Sequence, residues 1–181
     1  SAAFGMAAAD FDSDGDLDAA TTNFSSGSVL WLETIQSGPA IPHALDIAYG
    51  SLRGISSADF DSDGDMDLAV AAYQEDRFLW LENLQAADTF YTHILRSPSN
   101  GAWATVAEDL DQDGDADLVT TEFLSNVARV FLQVNGQLVE TAAFSMQNPM
   151  DAAIADYDGD GDRDIVVANY NDEVVWIENA A

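Results

Sequence analysis

The sequence predicts an all-β fold: a β-propeller built from four repeats of four-stranded antiparallel blades, the last lacking its outer strand. Three observations predict it. A motif recurs four times along the 181 residues, its leading aspartates Asp10, Asp59, Asp109 and Asp156 standing 49, 50 and 47 residues apart. Each repeat holds short apolar segments of about five to eight residues, rich in β-branched and aromatic side chains and bounded by Gly, Ser, Asn and Pro. No stretch keeps an amphipathic helical period for the ten or more residues a helix needs. Four strands at a period near 50 are the signature of a propeller blade.

The elements follow in order. GMAAADF leads into the first aspartate loop and LDAATTNF leads out of it. The third segment of each repeat reads VLWLET, FLWLEN, RVFLQV and VVWIEN. The fourth reads HALDIAY from His43, THILRS from Thr92 and QLVETAAF from Gln137, with no counterpart in the last repeat. Residues 1–181 thus read as one domain with repeats at about 1–50, 51–100, 101–148 and 149–181. Small residues at 7–9, 56–58 and 152–155 suit innermost strands crowded around an axis. Trp31, Trp80, Phe131 and Trp176, placed at equivalent points by this alignment, are expected to fill the space between neighbouring blades.

Charge narrows the partners. Thirty-three acidic residues stand against five arginines and no lysine, a formal net of −28. Such a surface repels nucleic acid and anionic lipid, and no apolar run approaches the length that spans a bilayer. Neither nucleic-acid binding nor membrane insertion is expected. A hydrophobic content of 48% separates the chain from disordered acidic tails. Without cysteine, no disulfide or thiolate metal site can staple the fold. The chain starts at Ser1 with no basic-then-apolar leader, as expected of a processed protein, a cut-out domain or part of something longer.

The repulsion within each loop demands a counterion. Every repeat spells D-x-D-x-D-G-x-x-D. The carboxylates are Asp10, Asp12, Asp14, Asp16 and Asp18, then Asp59, Asp61, Asp63, Asp65 and Asp67. The later sets are Asp109, Asp111, Asp113, Asp115 and Asp117, and Asp156, Asp158, Asp160, Asp162 and Asp164. Calcium takes six to eight hard oxygens, and alternate carboxylates converge on it if the backbone wraps around the ion. Glycine at position six (Gly15, Gly64, Gly114, Gly161) permits the turn. Position seven is expected to offer its carbonyl, and position nine to close the shell with both carboxylate oxygens. Four Ca²⁺ ions, one per repeat, would bring the formal net from −28 to −20. Magnesium fits poorly because it demands strict octahedral geometry, and zinc lacks its usual ligands. An EF-hand is excluded: position twelve holds Thr21, Val70, Thr120 and Val167 where that loop needs glutamate.

These residues carry a resemblance. ADFDSDGDLDAA, ADFDSDGDMDLAVAAY, EDLDQDGDADLVTT and ADYDGDGDRDIVVANY resemble the FG-GAP or VCBS-type repeat. That repeat builds the calcium-binding propeller of integrin α subunits and occurs in many secreted bacterial proteins. The resemblance implies four-stranded antiparallel blades, calcium in the hairpin loop between the first and second strands, and a secreted or cell-surface interaction domain. Two departures stand out: family propellers commonly have seven blades, and the fourth copy here ends at VVWIENAA. A closed ring of four, part of a larger ring, and completion by another chain through strand addition all remain open. Head-to-tail repetition of the last contact would give a ring or a filament.

For catalysis the sequence offers little. His43 and His93 lie 16 residues before Asp59 and Asp109, so they are two copies of one structural position. Glu108, Glu122 and Glu173 have no evident partner, and no nucleophile elbow or phosphate loop occurs. A non-catalytic, calcium-stabilised module for adhesion, surface assembly or glycan or protein binding is expected. A polysaccharide lyase, or its accessory domain, is the rival. Asn23-Phe24-Ser25 is a glycosylation sequon, meaningful only in a source that glycosylates.

Overall fold

The computed structural model describes residues 3–35, 37–45, 47, 49–84 and 89–179. The predicted HALDIAY segment falls partly outside them, at Asp46 and Ala48, as does the chain end at 180–181. Among the described residues there are fifteen strands and no helix.

The strands form four antiparallel sheets, each a meander in chain order. Sheet I holds β1 (Ala3–Ala9), β2 (Asp18–Asn23), β3 (Ser28–Glu33) and β4 (Ile41–Leu45). Sheet II holds β5 (Leu52–Ala58), β6 (Asp67–Ala72), β7 (Arg77–Asn83) and β8 (Phe90–Arg96). Sheet III holds β9 (Ala102–Glu108), β10 (Asp117–Glu122), β11 (Val127–Gln133) and β12 (Leu138–Ser145). Sheet IV has three strands, β13 (Pro149–Ala155), β14 (Asp164–Asn169) and β15 (Val174–Ile177).

The first strands of the sheets stand side by side, β1 against β5, β5 against β9, and β9 against β13. Small residues permit this. A Cβ on Gly5 would come within 2.7 Å of the Arg53 carbonyl, and one on Gly54 within 2.6 Å of the Ala104 Cα. All four inner strands line one cavity of about 360 Å³, which Phe4, Trp103 and Met150 narrow. Among the described residues, no strand of sheet IV packs along a strand of sheet I.

The core lies between consecutive sheets. Phe11, Val29, Trp31, Leu68, Leu79 and Leu81 fill the gap between sheets I and II. Phe60, Ala69, Leu118 and Phe131 fill the next, and Leu110, Val119, Val130, Ile154 and Ile165 the last. Burial on both faces makes β6 and β10 continuous runs of buried residues rather than alternating ones.

One expected equivalence is corrected by the register. Trp31 pairs with Ala20 and Trp80 with Ala69, but Phe131 pairs with Leu118, one residue earlier on β10. Val130, opposite Val119, holds the tryptophan position. A one-residue offset sends a side chain to the other face. Phe131 therefore points back towards Phe60 in sheet II, while Trp31 points forward onto Phe90 of sheet II. Trp176 keeps the forward position but is half-exposed, with no sheet over it among the described residues.

Polar groups tie the sheets where carbon does not. The Arg53 guanidinium sits 3.7 Å from the Trp103 ring centre and 4.3 Å from that of Tyr73, with Phe4 and Phe24 about 5 Å away. These rings come from sheets I, II and III and give a charged group cation–π partners in place of water. Glu122, whose partner the sequence does not reveal, is buried and accepts from Arg96 Nε (3.2 Å) and Arg129 Nε (2.8 Å). Glu140 bridges the same two arginines, so sheets II and III are stapled by an alternating ring of charge.

Candidate metal centres

Each aspartate loop joins the first two strands of its sheet, and its backbone is shaped before any ligand is considered. Position six is a glycine at φ of 94–104° in all four loops. Position four is also left-handed, occupied by Ser13, Ser62, Gln112 and Gly159. The sequence pattern points to the sixth position but not to the fourth, where three of the four residues carry a side chain.

The carboxylates build the rest. In the first loop Asp10 accepts from the Asp14 N–H (3.1 Å) and the Gly15 N–H (2.9 Å). Asp12 accepts from Asp14 N–H and Asp14 from Asp16 N–H. The same contacts recur in the second loop through Asp59, Asp61 and Asp63. The third and fourth loops repeat most of them. The first and third carboxylates are thereby aimed inward.

Position nine has a second duty that the sequence pattern does not reveal. Asp18 is buried; its Oδ2 accepts from the Phe11 N–H (3.2 Å) and the Trp31 indole N–H (3.0 Å), and its Oδ1 from the Thr34 N–H (2.7 Å). Asp67 makes the matching set with Phe60, Trp80 and Asn83. Asp117 receives Leu110 and Gln133, and Asp164 receives Tyr157 and Asn179. One carboxylate thus locks loop, second strand and third strand together.

What converges is a triad. Ligand oxygens of Asp10, Asp12 and Asp18 lie within 4.8 Å of one another, as do those of Asp59, Asp61 and Asp67, and of Asp109, Asp111 and Asp117. The fourth loop differs, gathering Asp156, Asp158 and Asp160 while Asp164 stays with its backbone donors. Asp14, Asp63, Asp113, Asp16, Asp65, Asp115 and Asp162 stand outside these triads. Asp115 instead accepts from the Ser62 hydroxyl of the neighbouring loop at 2.8 Å.

In the first three loops the surroundings disfavour the ionised carboxylates. The third-position carboxyls of the first three loops, Asp12, Asp61 and Asp111, are pushed above the usual carboxylate range by burial, with neighbouring aspartates adding to it. Burial raises Asp67 to about 7 against the pull of its three N–H donors, and raises Asp117 as well. Asp164 moves down, held by the Asn179 N–H. Asp109 Oδ1 is buried with no hydrogen-bond partner. An orphaned carboxylate oxygen inside an all-oxygen triad suits a hard divalent cation.

Adjacent loops are also joined. The Asn83 amide donates to the Phe11 carbonyl of the first loop at 2.8 Å and to Met66 of its own. Gln133 reaches Ser62, and Asn179 reaches Leu110. The four acidic loops form one connected rim. The histidines are elsewhere: His43 donates to Glu33 (2.6 Å) and stacks on Trp31, and His93 does the same with Glu82 (2.5 Å) and Trp80. Of the remaining glutamates, Glu173 caps a turn through its carbonyl, which accepts from Asn169 N–H.

Fold and loops together define a class: an all-β repeat protein with an acidic, metal-competent hairpin in each repeat. A family profile for the FG-GAP-like repeat matches residues 10–70 and again 59–120. The chain belongs to that family. No curated protein matches it.

Proposed function

We propose that this chain is a calcium-stabilised, non-catalytic module of the secreted or cell-surface type, its four sheets arranged as consecutive propeller blades. Ca²⁺ in each loop would draw the first and third carboxylates and the ninth (or, in the last loop, the fifth) into one shell. The carrying observation is an oxygen triad in every loop, at positions one, three and nine in the first three and at one, three and five in the fourth. Membership of the FG-GAP-like family supports the reading. The location follows from ion supply, since extracellular calcium modules bind at about 10⁻⁴–10⁻³ M, a level found outside cells. The surroundings of His43 and His93 favour a structural role, each ring being committed to a glutamate and a tryptophan.

Calcium bound by the full chain in millimolar calcium should approach four ions per molecule. At about ten times the dissociation constant each ion adds about 1.4 kcal/mol, roughly 6 kcal/mol for four. Chelation should then lower the melting temperature by about 10–20 °C. A chain that is metal-free in millimolar calcium, or melts unchanged in EDTA, would end this reading. Appearance of unsaturated product from uronate polysaccharides would replace it with the lyase.

A further inference from the structure

Position four of the aspartate loop supplies no triad carboxylate, yet at two loops its side chain reaches across to the next one. Ser62, at position four of the second loop, donates its hydroxyl to Asp115 Oδ1 of the third loop at 2.8 Å. The same hydroxyl oxygen accepts from Gln133 Nε2 at 2.8 Å. Gln112, at position four of the third loop, acts likewise one step on, its Nε2 donating to the Gly161 carbonyl of the fourth. Serine and glutamine differ in length and chemistry, but the two contacts correspond. Position four of one loop meets position six or seven of the next.

Both ends of the Ser62 contact belong to the frame of a site. In the second loop, Asp63 and Gly64 follow Ser62 directly, and Asp59 accepts from both their N–H groups, at 3.2 and 2.9 Å. Asp61 accepts from Asp63 as well. Asp59 and Asp61 are triad carboxylates, so their placement fixes where Ser62 stands. In the third loop, the Asp115 N–H is donated to Asp113 at 3.0 Å. The Gln133 N–H is donated at 2.8 Å to Oδ1 of Asp117, a member of the third triad. One hydroxyl thus grips the third loop twice, at its turn and at the strand that holds its ninth carboxylate.

We propose that Ser62 is a positioning residue for the calcium site of the third loop, so that filling the second loop raises the affinity of the third, and that Gln112 carries the same link to the fourth. The link rests on the calcium reading above. A second loop already closed presents a fixed hydroxyl, and the third then has less freedom to lose as it closes. By linkage the effect runs equally in both directions. Charge alone gives the opposite sign: ions in adjacent loops repel each other, and that repulsion fades with salt.

The amides of the four position-six glycines read the loops one at a time, because Gly15, Gly64, Gly114 and Gly161 each donate to the first carboxylate of their own loop. The test is an NMR calcium titration of the full chain in about 0.15 M salt. Ser62→Gly removes the hydroxyl and suits the left-handed backbone, as Gly159 does in the fourth loop. It should raise the Gly114 midpoint about fivefold, the lower end of ordinary coupling, and leave Gly15 in place. Asp59→Asn, which takes a triad carboxylate from the second loop and should silence Gly64, should raise the Gly114 midpoint by a similar factor. The two changes together should do no more than either alone. A Gly114 midpoint that ignores Ser62→Gly overturns the proposal. So does a double variant in which the two shifts multiply, because the hydroxyl would then brace the third loop whatever the second one holds. A Gly114 midpoint that falls in Asp59→Asn overturns it in favour of repulsion between ions. Glycine signals that never respond to calcium would overturn the calcium reading and the link with it, whereas four responsive loops with independent midpoints would overturn the link alone.

Discussion

In the first three loops the ninth-position carboxylate both joins the oxygen triad and ties the strands, and Asp67 shows the tension most clearly. Buried, and receiving three N–H groups, it still sits at about 7 because burial outweighs them. Its unfolded value is 3.8, so the calcium-free native state binds the proton more tightly than the unfolded chain does. That contribution is fully present below about pH 4 and is lost as pH rises through about 7. In EDTA, wild-type stability relative to Asp67→Asn should therefore fall between these limits, read as the difference in urea midpoints. In calcium the trend should reverse, since the ion needs the carboxylate ionised. The acidic register itself was readable in sequence, because alternate carboxylates and the sixth-position glycine are local signals. The double duty of Asp18, Asp67 and Asp117 was not, because their donors lie up to 16 residues away, on or just past the third strand.

The strand segments, four in each of the first three repeats and three in the last among the described residues, were legible from periodicity and turn residues. Register was not. Phe131 looks like the tryptophan of its repeat, yet a shift of one residue on β11 turns it to the opposite sheet, and only the partner strand decides that. Glu122 was similarly hidden, because its arginines come from β8 and β11 and meet only after sheets II and III pack. Glu122→Gln keeps the shape and loses the charge that holds two guanidinium groups. It should cost about 2 kcal/mol, as for hydrogen bonds to charged partners, measured by urea unfolding in calcium. A loss under about 0.5 kcal/mol would rank the cluster with ordinary surface pairs.

Across the whole molecule, cohesion passes from each sheet to its neighbour, through three interleaved cores and a rim of linked loops. Such an arrangement behaves as a nearly one-dimensional stack, in which an end unit has one neighbour and a middle unit two. Cooperative opening should start at the ends and work inward. Amide hydrogen exchange on the calcium-bound chain is expected to be fastest in β15 and the rest of sheet IV, and slowest in β6 and β10, whose residues are all buried. Uniform protection across the four sheets would mean that they open as one body. A fraying end also bears on any tether: a linker fused after sheet IV would pull on the weakest seam, so force would peel the molecule sheet by sheet rather than break it at once.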